Sequence, residues 1–186
     1  MPGCSHPVTG SATVPDGNLI GDGLAHRGVR CAVVPRWKAF AEAEPEFAAR
    51  VRRLLDAGRH KTIATLRADG SPRISGIECE LTDDDLRFGS MPDARKLADL
   101  ERDPRFALHG PTFSPEEGNE SAWPGEAKVA GRALPEGPVT SGEGPEGRTF
   151  AADITEVVVT GLNPEATRLV VEFWMPAHGV RRIERD

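Results

Sequence analysis

The chain has 186 residues, 38 % hydrophobic content and a net charge of −6. That length suits one domain with a real core, and the acidic balance argues against a general nucleic-acid binder, which needs a basic surface against phosphates. No apolar run approaches the ~20 residues of a membrane span, and Cys4, Cys31 and Cys79 have the spacing of neither a zinc site nor a disulfide framework.

Residues 1–34 are rich in Gly, Pro, Ser and Thr and carry no sustained helix or strand period. Such a segment buries too little apolar surface to offset its ordering entropy, so a disordered leader is expected. A sharper expectation is that the natural chain starts near Val34, since a GTG start codon reads as Val when internal. Nothing in the leader resembles a secretory signal, and the cytoplasm is the default location.

The ordered domain is expected over residues 35–186, starting in earnest near Trp37. Phe47, Val51, Leu54 and Leu55 recur at helical spacing, so Pro45 to Leu55 reads as a helix that Gly58 stops. Arg50, Arg52 and Arg53 are expected on its solvated face. Strands follow at Thr62 to Arg67, Pro72 to Leu81 and Leu86 to Ser90, the first two joined through the hairpin signal Asp69-Gly70. Cys79 reads as a small buried strand residue. Pro92 to Arg102 reads as a helix, with Pro92 in its first turn and Ala94, Leu97 and Leu100 on one buried face. Phe106 to His109 is a fourth strand.

Pro111 to Gly125 reads as a polar loop around Trp123. Ala127 to Leu134 is a fifth strand, in which Gly131 signals a bulge or a close backbone approach. Pro135 to Gly147 is a Gly/Pro/Glu loop, and Ile154 to Leu162 and Arg168 to Trp174 are strands around an Asn163-Pro164 turn. These last two are apolar on both faces and need a second covering layer, which argues for a homodimer. The sum is a mainly β fold with a few helices, a six- to seven-stranded antiparallel barrel. Neither a Rossmann fingerprint nor a Walker A loop is present, and no metal site is predicted.

Ser90 to Lys96 carries the most specific chemistry. A strand ends in a hydroxyl, a helix begins, and Arg95 and Lys96 follow, which together suit a phosphomonoester. Asp93 counts against this, since its carboxylate would repel the anion. The alternative reading is an ordinary helix start with two surface cations. His60 and His109 are candidate proton carriers, and Glu78 and Glu80 read as a solvated strand face, with a barrel mouth as the alternative.

The series Ala-Thr-Leu-Arg-Ala-Asp-Gly-Ser-Pro-Arg at Ala64 to Arg73, Leu-Arg-Phe-Gly-Ser-Met-Pro-Asp-Ala-Arg-Lys at Leu86 to Lys96 and Asp-Pro-Arg at Asp103 to Arg105 resembles the pyridoxamine 5'-phosphate oxidase-like superfamily of FMN-binding split barrels. Thr155 to Val158, Trp174 to Pro176 and Gly179 to Arg182 are similar to its flavin/deazaflavin oxidoreductase branch. The resemblance implies a homodimer with FMN or coenzyme F420 at each subunit interface and a small-molecule redox substrate. It places the phosphate on Ser90, Arg95 and Lys96, with Met91 between them. It runs the ring along Ser75, Gly76 and Ile77, and closes the site with Trp174 and Arg182. Ser75 stands where true pyridoxamine-phosphate oxidases carry an arginine, and the chain ends in Glu184-Arg185-Asp186 instead of their C-terminal signature. A generic flavin or deazaflavin reductase is therefore expected over vitamin B6 oxidation. The alternatives are a haem- or flavin-binding carrier or sensor, with His178 as the haem ligand, and a structural dimer that has lost its cofactor. No catalytic residue is assigned, because hydride transfer belongs mainly to the cofactor.

Overall fold

The computed structural model describes residues 36–139 and 147–185. The expected leader, Cys4 and Cys31 lie outside them. Eight antiparallel strands occur among the described residues: β1 (His60–Leu66), β2 (Pro72–Leu81), β3 (Leu86–Ser90), β4 (Arg105–His109), β5 (Glu126–Val139), β6 (Gly147–Leu162), β7 (Leu169–Met175) and β8 (Gly179–Arg185). Their order is β3-β2-β1-β4-β5-β6-β7-β8, and β3 also pairs with β6. That pairing closes six strands into a barrel and leaves β7 and β8 as an outer ribbon. The expected split barrel is what forms.

β6 makes the split possible. Its first part, Arg148 to Ala151, pairs with β3, and its second, Val157 to Leu162, pairs with β7. One strand thus serves the barrel seam and then the ribbon. β6 begins seven residues before the expected Ile154, at Gly147. Phe150, Ala151 and Ala152 are all buried in succession, so no inside–outside alternation marks this stretch. β5 likewise runs into the expected Pro135–Gly147 loop, as far as Val139. Beyond Arg132 it has no β4 partner and pairs only with β6. Pro135 and Pro138 are tolerated because a missing N–H costs nothing on a free edge.

Gly131 marks a bulge, with a register shift between Ala130 and Gly131. A Cβ at Gly131 would lie 2.0 Å from the Asp153 carbonyl oxygen, so the strands approach too closely for any side chain. The β1–β2 hairpin turns through Gly70 at φ 82°, as Asp-Gly leads one to expect. β1 starts two residues before, and β7 one residue after, the expected positions. β8 was not foreseen, because Val180 to Arg185 is mostly exposed and charged.

Among the described residues three α-helices pack on the barrel: α1 (Trp37–Ala43), α2 (Pro45–Asp56) and α3 (Arg95–Arg102). α1 was not expected, but Trp37 and Phe40 anchor it in the core. Phe40 packs edge-on against Trp37 and Phe47, and its ring centroid lies 4.7 Å from that of Trp174 on β7. α2 buries the predicted stripe of Phe47, Val51, Leu54 and Leu55. Arg53 is exposed, as expected of the solvated face, whereas Arg50 and Arg52 are half-buried and engaged. Arg52 donates to the Leu81 and Thr82 carbonyls, and Arg50 pairs with Glu172 at 2.6 Å. No helix among the described residues is long and apolar enough to cross a membrane.

Candidate functional site

The predicted helix start is corrected by three residues. Met91 to Ala94 form a turn, closed by Ala94 N–H donating to the Met91 carbonyl, and α3 begins at Arg95. Pro92 stands second in that turn and Asp93 third, with φ 60°. A fixed φ at the second position and a left-handed third residue are the signature of a type II turn, and Asp tolerates that conformation better than most side chains. Pro92 is therefore a turn residue, not the first residue of a helix.

α3 is locked onto the barrel by Asp99, only 3 % exposed. Its carboxylate accepts from Thr65 Oγ1 on β1 at 2.9 Å, from Arg73 Nε on β2 at 2.6 Å and from Arg102 at 3.1 Å. Burial would raise the Asp99 pKa, but the hydrogen bonds from Arg73, Thr65 and Arg102 outweigh it and hold the group below its ordinary value. The consequence is positional. α3 is fixed against β1 and β2, so Lys96, one turn earlier, is held beside β2 and donates to the Gly76 carbonyl at 3.0 Å.

A cleft of about 480 Å³ lies at this junction, lined by His60, Gly76, Ile77, Glu78, Gly89, Ser90, Met91 and Lys96. Ser90 is 3 % exposed, and its Oγ has no hydrogen-bond partner among the described residues. A buried hydroxyl without a partner is costly, and native proteins rarely leave one so. Gly76 and Gly89 line the cleft with bare backbone, and a Cβ at Gly76 would meet nothing within 4 Å. Met91 is 68 % exposed at the rim. A bare strand segment, an unpartnered hydroxyl and an ammonium together suit an anionic group joined to a flat body.

Five of the predicted residues therefore meet in one cleft: Gly76, Ile77, Ser90, Met91 and Lys96. Arg95, at the first position of α3, is exposed, has no partner among the described residues, and does not line the cleft. Nor does Asp93. Ser75 alternates with Gly76 and falls on the other side of β2. Trp174 is buried in the core against Phe40. Arg182 sits on β8, pairs with Glu184, and stands opposite Glu172 in the register. Within one protomer neither Trp174 nor Arg182 lines the cleft. His178 is exposed in the β7–β8 turn.

A second hollow of about 640 Å³ adjoins the cleft and shares His60 and Gly76 with it. Its floor is Thr62, Ala64, Ile74 and Ala107, and its far end carries His109 and Lys128. His109 Nδ1 lies 2.8 Å from the Gly110 carbonyl oxygen, so Nδ1 carries the proton there, and Nε2 faces Glu126 at 3.3 Å. Burial works to raise the Glu126 pKa, but the hydrogen bond from Lys128 prevails and lowers it. His60 Nδ1 lies 3.7 Å from Glu78, which Arg59 holds at 2.9 Å. Glu78 is exposed, as expected of a solvated strand face, and also lines the cleft, on the same side of β2 as Gly76. Cys79, half-buried on the inner side of β2, has its thiol pushed up by burial and is a poor nucleophile.

Solved structures with the same architecture bear on this geometry. A pyridoxamine 5'-phosphate oxidase-related, FMN-binding protein from Nostoc punctiforme superposes with a TM-score of 0.55 at 13 % identity, covering 80 % of this chain and 99 % of that one. PhzG from Burkholderia lata, in complex with tetrahydrophenazine-1-carboxylic acid, gives a TM-score of 0.51 at 13 % identity over 81 % and 88 %. The chain has the fold of the pyridoxamine 5'-phosphate oxidase-like split barrels. A further split barrel, Atu2129 from Agrobacterium tumefaciens, a protein of unknown function, is 18 % identical with a TM-score of 0.51, over 75 % of this chain and 63 % of its own. No protein-family model matches the sequence, and neither does any curated protein.

Proposed function

We propose that this split barrel is an oxidoreductase that binds FMN or coenzyme F420 in the cleft between β2, β3 and α3. The observation that carries the proposal is the unpartnered, buried Ser90 hydroxyl in a cleft that Lys96 also lines. A phosphate oxygen would accept from Ser90 Oγ and from Lys96 Nζ, and Arg95, otherwise unengaged, supplies further positive charge at the start of α3. Gly76 and Gly89 leave room for a planar ring against β2 and β3. The cofactor supplies hydride chemistry when bound. The chain's own task is to hold the phosphate, expose one ring face to the adjoining hollow, and provide a proton carrier. His60, at the junction of cleft and hollow and 3.7 Å from the Glu78 carboxylate, is the residue proposed to hold that proton.

The FMN-binding protein from Nostoc, with the same fold, supports the flavin reading. PhzG is in complex with tetrahydrophenazine-1-carboxylic acid, a partly reduced fused-ring acid, which accords with a fused-ring redox substrate. A homodimer completes the proposal. Val171, Phe173 and Ile183 share the side of the β7–β8 ribbon turned away from Trp174, and Ile183 is exposed there.

The test is the absorption spectrum of freshly purified protein, followed by titration with FMN and with coenzyme F420. A bound chromophore, or saturable binding of one of the two, is expected. A colourless protein that binds neither would end the proposal.

A further inference from the structure

A different part of the molecule carries a second site. α2 crosses the side of β6 and β7 that carries Val159, Gly161, Val170 and Glu172, and leaves a hollow of about 400 Å³. This hollow shares no lining residue with the Ser90 cleft. Leu54, Val159, Leu162 and Val170 form its floor, and Trp123 and Pro124 form a wall. Arg50 and Arg53 stand over it.

Two features mark it as built. The first is Gly161. It follows Val157, Val158, Val159 and Thr160 in a strand where β-branched side chains dominate, yet it has none. A Cβ there would meet nothing within 4 Å. Glycine within a strand weakens it and often marks a place where a ligand comes close. The wall is the second feature. Gly125, at φ +87°, brings its loop so near β6 that a Cβ would lie 2.5 Å from the Thr160 carbonyl oxygen. That approach holds Trp123 and Pro124 over β6.

The charges choose the occupant. Arg50 is neutralised by Glu172 at 2.6 Å. Arg53 has no acceptor among the described residues, and no other carboxylate lines the hollow. An apolar floor of this size, one aromatic wall and one unpaired guanidinium match a small organic anion. We propose that this hollow binds an aryl or branched-alkyl carboxylate, with its body over Gly161 against Trp123 and its carboxylate on Arg53.

2-Naphthoate is a suitable probe, with 2-naphthamide as its uncharged counterpart and Trp123 emission as the signal. Trp37 and Trp174 are buried and give a constant background. Saturable quenching by naphthoate is expected, absent in Trp123→Phe. Arg53→Ala should weaken naphthoate about tenfold or more, the loss of one charge-assisted contact, and leave naphthamide unchanged. Gly161→Val should remove binding of both while keeping the melting temperature, since the new side chain enters empty space. Should Gly161→Val fold poorly, the contrast between the two ligands in Arg53→Ala decides alone. Absence of saturable naphthoate binding would overturn the proposal, as would equal affinity in wild type and Arg53→Ala. A dimer that Gly161→Val splits, with no naphthoate binding, would overturn it in favour of a second copy of the chain.

Discussion

Ser90 and Asp99 are the two residues whose environments say most. Both are almost fully buried, both are polar, and they are satisfied to opposite degrees. Asp99 accepts three hydrogen bonds, whereas Ser90 Oγ makes none among the described residues. The contrast yields two predictions. Ser90→Ala removes a hydroxyl whose burial is uncompensated in the free protein, so stability should hold or rise by about 1 kcal/mol while affinity for the phosphate-bearing cofactor falls about tenfold. Denaturant titration and cofactor titration check the two halves. Asp99→Ala leaves Arg73 without its carboxylate and should cost about 2–4 kcal/mol. The acid limb follows from the sign of the shift. The Asp99 pKa is lower in the folded chain than its ordinary 3.8, so its contribution is complete above that value and is lost as pH falls below it. Asp103, held at about 2 by Arg105, adds to the same limb. Melting curves from pH 6 to pH 2 should fall steeply below 3.8 in wild type and less steeply in Asp99→Asn.

At the scale of elements, β2 and β3 were legible in full. Their turn residues stand directly at their ends, and their inner positions alternate cleanly. The stripe of α2 was equally plain. What escaped has common physical causes. The start of α3 was misread because Pro suits a helix N-terminus and a type II turn equally well, and only the positive φ of Asp93 separates them. The first half of β6 was hidden because Phe150, Ala151 and Ala152 are buried together, and alanine is a weak strand signal. β8 was hidden by its charge. Gly131 sits at the bulge that a glycine inside a strand signals. Gly131→Ala would drive a Cβ into the Asp153 carbonyl, so the β5–β6 bulge must open, at about 2–3 kcal/mol or more. An unchanged melting temperature would show that the approach is looser than described.

The site was legible to the extent that it is local. Ser90, Met91 and Lys96 lie within seven residues, and Gly76 and Ile77 lie on β2, which pairs with β3. Trp174 and Arg182 are distant in sequence, and nothing local reveals that one is packed beneath Phe40 and the other paired on an outer strand.

At the scale of the whole molecule, one uncovered face runs across the sheet. The register aligns Gly76, Thr62, His109, Lys128, Val158, Phe173 and Arg181 across seven strands. Ile74 stands beside this row at 75 % exposure. No helix among the described residues is packed on Ile74, and a second copy is the proposed cover. Ile74→Asp should weaken that association at least about tenfold. Sedimentation velocity would show a monomer where the wild type gives a dimer, with the circular dichroism spectrum unchanged. Wild type running as a monomer at all concentrations would remove the dimer.

Ser90 and Lys96 are proposed to grip the phosphate of a flat redox cofactor. The most direct measurement compares FMN, coenzyme F420 and riboflavin, which has no phosphate, on wild type and on the Ser90→Ala, Lys96→Ala double variant. Wild type should prefer one phosphate-bearing cofactor to riboflavin by at least about a hundredfold, and the preference should collapse in the variant. A cofactor bound equally by both proteins, or riboflavin bound as tightly as FMN, would contradict it.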